Sequence, residues 1–205
     1  MLPLLASLHL GVLRPRDAHA IYARPDLEFP RLEQGGVLLR VAHGYYALIP
    51  EPARGGEWRP EIESLALGLG QADYGKNAVA LMHLSAARIH GAIPRAIAVA
   101  VLAVPKQRPP LDTTCGHIIF VKRDVEKLKR MRVDSELASG WATNIEQTAL
   151  DIARRPDLVV GLSQVTRDAA CALFPRCRED KLSVIVHEQR MSSALARLKT
   201  WVADA

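Results

Sequence analysis

At 205 residues, 49% of them apolar and 24% charged, the chain can bury a sizeable core and is too apolar for general disorder. Its formal net charge is +5, and the excess is local: Lys122 to Arg132 carries six basic side chains against two acidic ones, four of the five net charges. Three cysteines, Cys115, Cys171 and Cys177, show no CxxC spacing, which argues against a disulfide scaffold or a structural zinc site and for a reducing cytosol.

The opening Met1-Leu2-Pro3-Leu4-Leu5, followed by Ala18-His19-Ala20, imitates a signal peptide. No basic residue precedes the apolar run, and Arg14, Arg16 and Asp17 interrupt the approach to the small residues, so no signal is expected. Residues 1–13 read instead as a short amphipathic helix. Pro15 suits the first turn of a second helix carrying Ala18, Ile21 and Tyr22, stopped by Arg24-Pro25-Asp26. A third helix starts near Asp26, uses Leu27, Phe29 and Leu32, and ends at Gly35-Gly36. The period then changes to two: Val37–Val41 and Tyr45–Ile49 read as strands around the turn Ala42-His43-Gly44. Three helices and a hairpin in this order are the plan of a winged helix-turn-helix.

Pro50 to Pro60 is a linker by composition. After it, Pro60–Leu69 and Asn77–His90 read as helices, the second carrying Val79, Met82, Ala86 and Ile89 at helical spacing and closing at Gly91. Ala96–Val104, His117–Val121 and Leu182–Val186 read as short buried strands. Helices are expected at Asp124–Arg132, Thr143–Arg155, Gln164–Leu173 and Ser192–Val202. The longest apolar run, Ala96 to Val104, is too short to span a bilayer as a helix, so no membrane partner is expected. The fold class is thus α+β: a winged helix-turn-helix over residues 1–50, a linker over 51–60, and a mixed α/β domain over 61–205.

Candidate site residues fall in both halves. Residues 1–50 hold five basic side chains, all arginine (Arg14, Arg16, Arg24, Arg31 and Arg40), against four acidic ones. Arginine can clamp a phosphate or a guanine edge with two hydrogen bonds, so these five, with His43 on the hairpin, are the expected DNA contacts. Tyr45 and Tyr46 are adjacent on a strand and must face opposite sides, one toward the core. Gly70-Gln71-Ala72-Asp73-Tyr74-Gly75-Lys76-Asn77 comes within one residue of a phosphate-binding loop. Because it follows a helical pattern rather than a strand, a C-capping glycine and a connecting loop are the simpler reading. Lys122, Arg123, Lys127 and Arg130 suit either a solvated helix end or an anionic partner. On the Thr143–Arg155 helix Asn144, Gln147, Asp151 and Arg154 share one face, where Asp151 and Arg154 can pair at i, i+3. His83 and His90 lie two helical turns apart, too far to ligate a metal together, and no metal site or catalytic triad is expected.

Three stretches carry a family resemblance. Gly35-Gly36-Val37-Leu38-Leu39-Arg40-Val41-Ala42-His43-Gly44-Tyr45-Tyr46-Ala47-Leu48 resembles the end of the recognition helix and the wing of AbiEi-type antitoxins. Leu84-Ser85-Ala86-Ala87-Arg88-Ile89-His90-Gly91 resembles the small-residue helix after the linker in that family, and Thr143-Asn144-Ile145-Glu146-Gln147-Thr148-Ala149-Leu150-Asp151-Ile152-Ala153 its later signature helix. The resemblance implies a cytoplasmic antitoxin of a type IV toxin–antitoxin system. Such an antitoxin represses its operon at inverted repeats, and its toxin is a nucleotidyltransferase-like enzyme met only transiently. The near-zero charge of residues 1–50 departs from a strongly basic DNA-binding module. The alternatives are an enzyme that modifies the toxin covalently, by phosphorylation for example, and an interaction module that ignores DNA. No cofactor is expected for the antitoxin. The enzyme would need a nucleotide triphosphate and magnesium, with Gly70, Gly75, Lys76, Lys122, Arg123, Lys127, Arg130 and Asp151 as the contacts to nucleotide or toxin.

Overall fold

The computed structural model describes residues 11–205. The helix expected over residues 1–13 lies outside the described residues except at its end, where Val12–Leu13 form a strand, β1. Pro15–Ala18 make a single 3-10 turn rather than a full helix. Helix α1 (Pro25–Gln34) follows with proline in its first turn, and Gly36 at φ +66° turns the chain out of it. Strands β2 (Leu38–Ala42) and β3 (Tyr45–Leu48) form the hairpin, with Gly44 at φ +78° in the turn. The sheet order is β1-β3-β2, all antiparallel. A small core of Leu13, Ala18, Tyr22, Phe29, Leu38 and Tyr46 joins sheet to helix, with the Phe29 and Tyr46 rings edge to face at 5.1 Å.

The segment after β3 does not hang free. Glu51–Ala53 form a 3-10 turn, the Trp58 indole N–H donates to Glu136 at 2.6 Å, and Arg59 donates to the Thr114 carbonyl at 3.0 Å. Helix α2 (Ile62–Tyr74) is buried from Ile62 through Gln71, because it has core on two sides. Ile62, Leu65 and Leu69 cluster with Val12, Val41 and Ala47 of the N-terminal sheet and with Leu102, Ile118 and Phe120 of a second sheet. Gly68 permits the closeness: a methyl group there would stand 2.8 Å from Cγ2 of Val12.

The second sheet has six strands: β4 (Ala80–Leu81), β5 (Val99–Val104), β6 (Leu111–Thr113), β7 (Gly116–Lys122), β8 (Arg130–Asp134) and β9 (Ser139–Thr143). Their order is β6-β7-β5-β4-β9-β8, parallel at β5–β7 and β4–β9 and antiparallel elsewhere. Strand β5 is apolar throughout because both faces are covered: Ala100, Leu102 and Val104 face α2, while Val101 and Ala103 face the opposite layer. That layer holds α3 (His83–Ile89), α4 (Ile145–Arg154), α5 (Ser163–Leu173), α6 (Glu179–Gln189) and α7 (Ser192–Ala203). The result is a mixed α/β architecture with two sheets.

Three expected elements change identity. Asn77–His90 splits into β4 and α3, because Val79, Ala80, Leu81 and Met82 are all buried, and Ala80 and Leu81 pair with β5 and Leu81 with β9. The helical spacing of its apolar residues coincides with that arrangement without causing it. Leu182–Val186 lies within α6 rather than in a strand; Leu182 and Ile185 are buried while Val184 is 46% exposed, which is helical periodicity. Asp124–Arg132 is not a helix either. Asp124 does cap a turn, its carboxylate accepting from the Glu126 amide at 3.2 Å, but the turn ends at Lys127 and the chain continues as β8.

Candidate functional site

The six expected DNA contacts separate into two groups. Arg14 is largely buried and committed: it binds Asp17 through two nitrogens at 2.8 Å and pairs with Asp73 on α2. Asp73 also accepts from Arg108 and, at 2.8 Å, from the Tyr45 hydroxyl. Burial and the neighbouring Asp73 hold that hydroxyl in its protonated form, its pKa above the ordinary value. Tyr46 is the tyrosine that enters the core, and Tyr45 is the one that turns to Asp73. This hub joins the N-terminal sheet to α2, so Arg14 serves as an internal tie.

The other group faces solvent. Arg16, Arg24 and Arg31 are 69–72% exposed at the side chain. Arg24 and Arg31 flank and occupy α1 and make only local pairs, with Asp26 at 3.9 Å and Glu28 at 3.0 Å. Arg40 and His43 meet at 3.3 Å on the exposed hairpin. Such exposed pairs hold their partners weakly and can exchange them for phosphates.

In the C-terminal half, residues 70–74 are helical, so the near phosphate-loop is not a loop over those positions. Gly70 packs against Leu102 within α2, Gly75 ends the helix at φ +92°, and Lys76 is exposed. The basic residues of 122–132 do not share one setting. Lys122 ends β7. Lys127 pairs loosely with Asp124 at 3.3 Å. Arg130 and Arg132 share one face of β8, Arg132 in register with Trp141 on β9, and their guanidinium carbons lie 4.4 and 4.7 Å from its ring centre. The Trp141 indole N–H donates to the Asn77 side chain at 3.2 Å.

Arg123 enters the interior instead. It donates to Asp151 at 2.8 Å and to Gln189 at 2.9 Å. Asp151 therefore pairs with Arg123, from another segment, and not with Arg154 one turn along as its spacing suggests. Gln147 donates to Asp151 at 3.2 Å and accepts from Gln189 at 2.6 Å, tying β7, α4 and α6 into one network. Burial pushes the Asp151 carboxyl upward in pKa, and the Arg123 guanidinium opposes that shift. Asn144, on the same expected face, is the N-cap of α4, accepting from the Gln147 amide at 2.9 Å.

His83 and His90 are both anchored to main-chain carbonyls, of Arg155 at 3.0 Å and Thr143 at 2.8 Å. His83 is fully buried at φ +54°, and burial lowers its pKa to about 4. Two cavities open along this side. The larger, about 670 Å³, is lined by Asn77, Pro105, Lys122, Arg123 and Asp124 among others. The smaller, about 220 Å³, shares Lys122 and Arg123 and adds His83, Asp151, Arg154 and Arg155. Arg108, Trp141, Gln189 and the role of Asp73 carry no local sequence signal. Their partners are 28 to 66 residues away in the contacts that define them.

No helix among the described residues is long and apolar enough to cross a membrane. The whole chain resembles the crystal structure of the RV2827C protein from Mycobacterium tuberculosis, with a TM-score of 0.65 over 98% of this chain and 74% of that one. At 20% identity this likeness speaks to the fold alone. No curated protein matches the sequence. The family model of the AbiEi antitoxin C-terminal domain matches residues 78–202, which span the second sheet from β4 onward, the Arg123–Asp151 network, the smaller cavity and, apart from Asn77, the lining of the larger one. By that match the chain belongs to the AbiEi antitoxin family, on the antitoxin side of a toxin–antitoxin system.

Proposed function

We propose that this antitoxin represses its own operon by binding promoter DNA through a winged helix-turn-helix in its first 50 residues, and counters a nucleotidyltransferase-like toxin through the remainder. The observation that carries the DNA reading is the disposition of arginine in the N-terminal unit. One helix and a three-stranded sheet share a small core, and Arg24, Arg31 and Arg40 remain on their exposed sides with partners weak enough to leave. Arg16 and His43 belong to the same set, whereas Arg14 is withdrawn from it by Asp17 and Asp73. The low net charge of this unit fits DNA binding if specificity rests on few, well-placed contacts and on two chains meeting an inverted repeat.

For the toxin, the support is the positive charge around Lys122 and Lys127 on the family-matched part of the chain. An acidic surface on the toxin would meet it by electrostatic attraction that brings encounter without a long-lived complex.

The DNA reading is tested by fluorescence anisotropy of the full chain on its own promoter across a salt series. The logarithm of the binding constant falls linearly with the logarithm of salt, with a slope near −0.9 per phosphate neutralised. Arg24→Ala with Arg31→Ala reduces the steepness by about two contacts' worth and weakens binding at every salt. Retention that ignores salt and both substitutions would remove the DNA reading.

A further inference from the structure

The smaller cavity combines two features that ordinarily exclude each other: unsatisfied buried acceptors and a rim of free cations. His83 is fully buried, and its Nε2 faces the Arg155 carbonyl at 3.0 Å. A carbonyl can only accept, so Nε2 carries the ring proton and Nδ1 is a bare acceptor. Nδ1 is buried and has no hydrogen-bond partner among the described residues. Asp151, 2% exposed, uses Oδ1 for Arg123 and Gln147, and its Oδ2 is likewise buried without a partner among them. Both residues line the same cavity.

Leaving two acceptors unmade in the interior is costly, so each calls for a donor that the described side chains do not supply. The backbone of His83 adds to this, since φ +54° is an uncommon conformation for a non-glycine residue and such outliers concentrate at ligand sites. Around the same cavity stand Lys122, Arg154 and Arg155, all exposed and without an ion pair among the described residues. Asp151 is the only acid among the lining residues, and Arg123 already neutralises it.

A ligand for this cavity must therefore be an anion that also donates a hydrogen bond. Phosphate and its monoesters do both near neutral pH, because P–O⁻ oxygens accept from the cations while a remaining P–OH donates. Sulfate has the same shape and no proton, so it would oppose Asp151 Oδ2 with bare oxygen. Carboxylates are anionic but carry no donor on the charged group. The volume, about 220 Å³, is below that of pockets built for drug-sized ligands and suits a phosphate with at most a small substituent. We propose that the cavity between the end of β7, His83 and α4 is a binding site for a protonated phosphate group, with Arg154, Arg155 and Lys122 neutralising it and Asp151 Oδ2, beside His83 Nδ1, accepting from its P–OH. The group can belong to inorganic phosphate or to a small phosphomonoester whose remainder extends past Lys122 and Arg123 into the larger cavity.

The test is calorimetric titration of the full chain at about pH 6.5, where a monoester is still partly protonated, at constant ionic strength. The probes are inorganic phosphate, sulfate and glycerol phosphate. Saturable phosphate binding, with sulfate weaker by about tenfold or more, is expected from the loss of a charge-assisted hydrogen bond. Glycerol phosphate binding tighter than inorganic phosphate assigns the natural ligand to an ester, and the reverse order to the free ion. Arg154→Ala, at an exposed position, weakens phosphate binding several-fold without disturbing the core. Asp151→Asn, which presents a donor in place of an acceptor, abolishes the preference for phosphate over sulfate. Should Asp151→Asn fail to fold, the wild-type ratio and Arg154→Ala decide. Equal affinity for sulfate, no saturable phosphate binding, or a folded Asp151→Asn that keeps the preference would each overturn the proposal.

Discussion

His83 is where backbone, burial and protonation meet in a single residue. Its pKa is lowered to about 4 chiefly by burial, against 6.5 for an ordinary histidine. Between those two values the unfolded chain holds a proton that the folded chain refuses, so stability increases with pH across that window and is complete above it. The contribution is bounded by about 3 kcal/mol, from the size of the shift. Asparagine tolerates the left-handed backbone that His83 adopts. Thermal unfolding of wild type and His83→Asn from about pH 7 to pH 4 therefore separates the two effects. The wild type loses stability more steeply on acidification than the variant, and parallel curves would show that His83 titrates alike in both states. At this scale the sequence is only half legible. Asp151 and Arg123 each stand out as residue types, but their pairing across 28 positions depends on where β7 ends over α4. Arg14 shows the converse: its sequence setting suggests a surface contact, and Asp73, 59 residues away, makes it internal.

Elements are legible where periodicity and burial agree. Helices α5 and α7 emerge from sequence because each has one buried stripe, and β5 and β7 because both their faces are covered, while α4 is buried at every position from Glu146 to Ala153 and shows only in the segregation of its apolar from its polar residues. Strand β4 is too short to show its own period, and β8 hides behind a charge run whose even-numbered arginines stack on Trp141 rather than line a helix. Residues Leu182–Val186 illustrate the opposite failure, β-branched residues drawn into α6 by packing of Leu182 and Ile185. The close contact of α2 with β1 is a property of elements that can be broken at one atom. Gly68→Val forces side-chain carbons against Val12 and costs about 1–3 kcal/mol by overpacking. That corresponds to a fall in Tm of about 2–4 °C per kcal/mol for a chain of this size. Calorimetric unfolding checks it, and an unchanged or raised Tm would mean that the N-terminal sheet does not bear on α2 as described.

At the scale of the whole molecule, the proposed function gives DNA to the exposed arginines of the N-terminal unit and the toxin to the basic part of the family-matched region. The N-terminal sheet and α2 share one core and the Asp73 hub, so the two assignments are separated better by surface substitutions in the full chain than by cutting it. The decisive measurement is growth of cells that express the cognate toxin together with full-length variants of this chain from an independent promoter. Arg24→Ala, Arg31→Ala and Arg40→Ala combined are expected to protect as well as the wild type, while Lys122→Glu with Lys127→Glu lets the toxin arrest growth. Loss of protection in the arginine variant, with the lysine variant fully protective, would contradict the proposed function.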